Sequence, residues 1–192
     1  MFRQKTSEKM ISVTEALSPF SPFNNPDRYI PDGVLERAAQ RGSRVHRACA
    51  AFSMELPVMC LKTEDIGYFE SFKKWFEPYV MEVLLVEKRL ESPLGFYGHP
   101  DLVCMLINEQ IYVVDYKTPA VESPVWKSQI AAYSALAEEE LGIKVDNGMA
   151  LVLDASGKSA KGIVYQRRAE DYVAFLSALN AYRYFIGGKT NG

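Results

Sequence analysis

Residues 98–117 read GHPDLVCMLINEQIYVVDYK. Two apolar runs rich in β-formers, Leu102 to Leu106 and Ile111 to Val114, flank the polar turn Asn108-Glu109-Gln110. That is the pattern of a β-hairpin. Side chains alternate along a strand, so Asp115 and Lys117 point to one face, and Tyr112, Val114 and Tyr116 to the other. The hairpin lays Asp101, at the start of one strand, against Asp115, near the end of the next. Two carboxylates and one ammonium are thereby gathered at one end of a sheet on rigid backbone. Such a set suits a divalent metal with a cation beside it. Taken singly the pieces are ordinary: an Asp after Pro100 makes a turn, and Asp-x-Lys makes a solvated strand end.

The chain has 192 residues, 48% hydrophobic and 24% charged, which suffices for one globular domain with a sizeable core. Its formal net charge is -2, so a nucleic-acid surface has to be local. Cys49, Cys60 and Cys104 have no C-x-x-C spacing and are too few for a zinc or iron–sulfur framework. They read as reduced core thiols of a cytoplasmic protein. No apolar run approaches the ~18 residues of a membrane span, and with polar residues 1–10 neither a membrane span nor a signal peptide is expected.

Residues 1–10 and 187–192 read as loose tails, 11–80 as a helical block and 81–186 as the core. Ile11 to Leu17 is expected to form one or two helical turns, capped by Ser12 or Thr14. Prolines 19, 22 and 26 mark a loop. A helix follows from about Pro31, broken or restarted at Gly42-Ser43, with Val45, Cys49 and Phe52 at helical spacing. Arg37, Arg41 and Arg44 share one face of it, with Arg47 nearby, a basic stripe fit for phosphate contacts. Ile66, Phe69, Phe72 and Phe76 define a second amphipathic helix ending near Pro78, its aromatics read as core. Val83 to Leu90 is read as the first strand, with Glu87 inside it, an odd choice for a strand. A helix over about Ser123 to Leu141 buries Trp126, Ile130, Tyr133, Ala137 and Leu141, and Gly142 ends it. Gln129 and Tyr133 lie one turn apart on that helix. Strands over Met149–Leu153 and Gly162–Arg167 and a closing helix from Tyr172 to Ile186 complete an α/β order with a mixed sheet and flanking helices.

Four motifs in this order resemble the PD-(D/E)XK (restriction-endonuclease-like) nucleases. They are the G-x-x-x-H of Gly42 to His46, Pro100-Asp101, Asp115-Tyr116-Lys117, and the Q-x-x-x-Y of Gln129 to Tyr133. The resemblance is to the RecB-like and phage-type exonuclease group and covers roughly Ser12 to Ile186. It departs from members that carry four iron–sulfur cysteines, which this chain lacks.

The resemblance implies the roles. Asp101, Asp115, the Tyr116 carbonyl and His46 would hold one or two Mg²⁺ or Mn²⁺ ions, with Glu87 as an accessory carboxylate. Lys117 would orient the attacking water and stabilise the transition state, leaving a 5′-phosphorylated end. Gln129, Tyr133 and the arginines at 37, 41, 44 and 47 would hold substrate. The implied partner is DNA, at strand ends, with a helicase or single-strand annealing protein as a possible companion. The implied activity is exonucleolytic, in recombination, repair or replication, within the cytoplasm (or a host's, for a phage-encoded chain). A structure-specific or nicking endonuclease, or a non-catalytic DNA-binding protein of the same fold, are the alternatives.

Overall fold

A computed structural model describes residues 10–22, 33–59, 61–118, 122–166 and 168–187. In chain order the elements are a short strand β1 (Ile11–Ser12), helix α1 (Val13–Leu17) and a 3-10 turn (Ser18–Phe20). Helices α2 (Val34–Ser53) and α3 (Thr63–Tyr79) follow. Strands β2 (Val80–Val86), β3 (Leu90–Ser92), β4 (Phe96–Gly98), β5 (Leu102–Leu106) and β6 (Ile111–Lys117) come next. The chain closes with α4 (Val125–Leu141), β7 (Asn147–Val152), β8 (Lys161–Tyr165) and α5 (Arg168–Phe185).

The fold is α/β with two mixed sheets. The larger has strand order β2-β5-β6-β7-β8 and is antiparallel except where β7 runs parallel to β6. A parallel neighbour requires a crossover, and α4 supplies it. β5 and β6 form the predicted hairpin, with Leu102 opposite Val114 and Met105 opposite Ile111. Glu109 takes the left-handed φ of 61° that its tight turn demands.

The period of two on these strands sorts the core into two layers. Leu102, Cys104 and Leu106 of β5, with Tyr112, Val114 and Tyr116 of β6, pack against α2 and α3. Val103 and Val113 face the opposite way, into a cluster with α1, α4 and α5. Asp115 and Lys117 share the parity of Val113, so both lie on the α4 side. On the α2/α3 side, Phe52, Phe69, Phe72 and Phe76 meet at ring separations of 5.2–6.1 Å. These aromatics are core, as their spacing predicts.

Several expectations need correction. Gly42 and Ser43 do not interrupt α2, because the Ser43 hydroxyl donates to the Ala39 carbonyl at 3.0 Å and is satisfied within the helix. Ile11–Ser12 is a strand, parallel to β4 in a three-stranded sheet with β3 that the sequence did not announce. Ser12 still caps α1, accepting the Glu15 amide at 3.0 Å. The first strand of the large sheet starts at Val80, directly after α3, and ends at Val86, leaving Glu87 outside it. Leu90, expected in the same strand, belongs to β3.

Gly142 ends α4 in the left-handed conformation, φ 64°. Cys49 and Cys104 are buried free thiols, whereas Cys60 lies outside the described residues, as do 1–9 and 188–192 of the expected tails. No helix among the described residues is long and apolar enough to cross a membrane.

Candidate active site

The C-terminal end of β6 and the N-terminal end of β5 meet where α2 crosses one face and α4 the other. Asp101, just before β5, joins the two faces and is 5% exposed. Its Oδ1 lies 3.0 Å from Nδ1 of His46 on α2, and its Oδ2 accepts the Tyr116 amide at 2.6 Å. The His46 ring stands edge-on to Tyr116 at 5.5 Å. His46 therefore faces the site, while the exposed His99 turns to Tyr97 at 5.8 Å. Gly42, one turn earlier on α2, passes the end of β6: a Cβ there would lie 3.9 Å from Thr118 Oγ1.

Glu87 reaches the same point by a strained route. It adopts φ 47°, a costly conformation for a residue with a side chain. Its amide is shared between the carbonyls of Pro100, at 3.1 Å, and Asp101, at 3.3 Å. The turn carries Glu87 out of the ladder and into a set with His46 and Asp101 whose ligand atoms all lie within 4.8 Å of one another.

The second half of the site lies on the α4 side. Asp115, 3% exposed, forms an ion pair through Oδ2 with Lys117. The Gln129 amide bridges them: its Oε1 accepts from Lys117 Nζ at 2.9 Å, and its Nε2 donates to Asp115 Oδ1 at 3.4 Å. The same Nε2 meets the Tyr133 hydroxyl at 3.1 Å. Tyr133 in turn packs on Gly98, where an added Cβ would fall 2.5 Å from its ring. Gly98 is thus required by close approach, two residues from Pro100-Asp101.

The electrostatics follow from the crowding. Burial alone would lower the His46 pKa, but Asp101, Asp115 and Glu87 outweigh it and raise it to about 9. Glu87 rises to about 7, first because protein displaces part of its hydration and second because Asp101 is close. Burial also raises Asp115, against the pull of Lys117. Three carboxylates pressed together with one imidazole repel one another, and a divalent cation would relieve that repulsion. The donors, carboxylate oxygens and one imidazole nitrogen, suit Mg²⁺ or Mn²⁺ rather than a thiolate-seeking metal. The residues fit the implied ion.

The structure does not gather every expected residue in one way. Asp115 stands outside the tight His46, Glu87 and Asp101 set, held by Lys117 and Gln129. Tyr116 enters through its amide, and its register partner on β7 is Leu151. Arg44 is not open to a phosphate: it binds Asp65 at 2.6 Å and Glu64 at 2.7 Å, tying α2 to α3. Arg41 lies over the Tyr68 ring at 5.4 Å. Arg37 and Arg47 are exposed, with Arg47 Nε donating to the Ser43 carbonyl. Sequence spacing alone missed Trp126, whose ring centroid is 5.3 Å from Lys117 Nζ. Its position three residues before Gln129, on the same helix face, was the available signal. No family model matches the chain, and no curated protein matches it either.

Proposed function

We propose that the protein is a Mg²⁺- or Mn²⁺-dependent deoxyribonuclease with a PD-(D/E)XK type of site, hydrolysing phosphodiester bonds from DNA strand ends. The observation that carries this reading is the pairing of two half-sites at one sheet end. His46, Glu87 and Asp101 stand within 4.8 Å of one another, and Lys117 with Gln129 stands against Asp115 beside them. A fixed ammonium has little use in a site built only to hold a cation. It has a clear use where a water must be oriented and negative charge stabilised on a phosphate.

His46, Glu87 and Asp101 would hold the ion, with Asp115 released to it from Lys117. The ion, when bound, supplies a more acidic water and neutralises phosphate charge. Lys117 Nζ, positioned by the Gln129 carbonyl, donates hydrogen bonds to the attacking water and the phosphate oxygens. The water oxygen bonds to phosphorus, the P–O3′ bond breaks, and the proton lost by water is balanced by one gained at O3′. Products are a 5′-phosphate and a 3′-hydroxyl.

The exonuclease form of the reading rests on α2. Its residues Gly42 and His46 run past Thr118 and Asp101, and it carries the exposed Arg37 in its first turn and the exposed Arg47 next to His46. Such a helix narrows access from one side and offers phosphate contacts to a single strand. The test is melting with and without Mg²⁺ or Mn²⁺, since an ion that binds only the folded state raises Tm. Asp115→Asn is expected to weaken the ion's effect on Tm and to abolish DNA hydrolysis. Absence of any divalent effect at millimolar concentrations would oppose the reading.

A further inference from the structure

Lys117 is restrained on three sides, and two of those restraints belong to the site already described. Asp115 holds it by charge and Gln129 by a 2.9 Å hydrogen bond. The third is the indole of Trp126, 5.3 Å from Nζ and within the range of a cation–π contact. The ring is 4% exposed and cannot swing away. It packs on Ile130 and Ala150, with Val152 and Ile163 against them. Val152 is the β7 register partner of Lys117 itself, so sheet and helix together set the distance between ring and ammonium. The attraction is strongest where water is excluded, and the Lys117 side chain is only 13% exposed.

This arrangement matters because Asp115 has two calls on it. A lysine has a flexible four-carbon stem, and it wanders once its counter-charge is shared. If Asp115 turns toward an ion, what remains is one hydrogen bond to a neutral amide and the ring. We propose that Trp126 is a positioning residue whose indole face keeps the Lys117 ammonium at Gln129 when Asp115 is engaged elsewhere. The proposal rests on the nuclease reading for its catalytic meaning, but the contact itself is tested without cleavage.

Trp75 lies across the sheet in the α2/α3 cluster, so Trp75→Phe leaves Trp126 as the sole reporter. In that background Lys117→Met should change the Trp126 emission spectrum and its quenching by acrylamide, and Lys117→Arg should restore both. Superimposable spectra for the Lys and Met forms overturn the proposal. In cleavage assays Trp126→Leu should lower kcat about tenfold with KM held, and Trp126→Phe should recover most of it. Equal losses for Leu and Phe, or a loss confined to KM, also overturn it. Should the unmodified protein cleave no DNA, the nuclease reading fails while the spectra still decide whether Trp126 holds Lys117.

Discussion

The carboxylate of Asp101 is divided between two layers of the fold: Oδ1 meets His46 Nδ1 of α2 at 3.0 Å, while Oδ2 takes the amide of Tyr116 in β6. Through this one side chain, a helix on one face of the sheet is registered against a strand whose Asp115 and Lys117 point to the other. Asp101, with Asp115 and Glu87 nearby, raises the His46 pKa to about 9 against the opposing effect of burial. On the proposed function, the His46 proton and a divalent cation would compete for the same place.

Stability should therefore depend on pH in a defined sense. The His46 pKa is raised from 6.5 to about 9 on folding, so its contribution is complete below 6.5 and lost as pH rises through about 9. Glu87, raised from 4.5 to about 7, acts in the same direction, its contribution lost as pH rises through about 7. The metal-free Tm should fall from about pH 6 to about pH 9, and the gain in Tm from Mg²⁺ should grow over the same window. Melting at several pH values with and without Mg²⁺ checks this. A metal-free Tm that rises across the window contradicts it.

The arginines of α2 should separate into two kinds. Asp65 is fully buried beneath Arg44, so Arg44→Ala removes the partner of a buried carboxylate and should lower the urea unfolding midpoint. Arg47 is exposed, and Arg47→Ala should leave stability unchanged while lowering the salt dependence of DNA binding by about one ion. Equal stability losses for the two variants would show that the Arg44 tie is not structural.

Gly98→Ala places a methyl 2.5 Å from the buried Tyr133 ring and 3.0 Å from Leu136, neither of which has room to retreat. The expected cost is about 1–3 kcal/mol by denaturant unfolding. Tyr133 is the hydrogen-bond partner of Gln129, so activity should fall further than stability alone explains. A variant as stable and active as the parent would mean that the Tyr133 ring is not fixed against β4.

What was legible in the sequence was periodic. The alternation of Tyr112, Val114 and Tyr116 against Val113, Asp115 and Lys117 announced both the hairpin and the face of the candidate lysine. The four-residue spacing of Gln129 and Tyr133 announced one helix face, whereas Trp126 read as part of the buried stripe with Ile130 and not as a neighbour of Lys117. What was illegible depended on partners distant in the chain. Arg44 looked like its neighbours because Glu64 and Asp65 lie on another helix. Glu87 looked like a strand residue because its left-handed turn is fixed by the carbonyls of Pro100 and Asp101. The pairing of Ile11–Ser12 with Phe96 and Tyr97 spans most of the helical block and leaves no local pattern.

On the proposed function, His46, Glu87 and Asp101 together with Asp115 and Lys117 would hydrolyse DNA from its ends with a divalent ion. The direct measurement is a time course with Mn²⁺ on end-labelled linear DNA and on covalently closed circles, beside Lys117→Ala and a chelator control. Progressive shortening of linear DNA, intact circles, and loss of turnover in Lys117→Ala at little-changed DNA affinity are the predicted results. Circles cut as fast as linear molecules, or cleavage by Lys117→Ala within a few-fold of the parent, would mean that the protein is not an end-directed nuclease using this lysine.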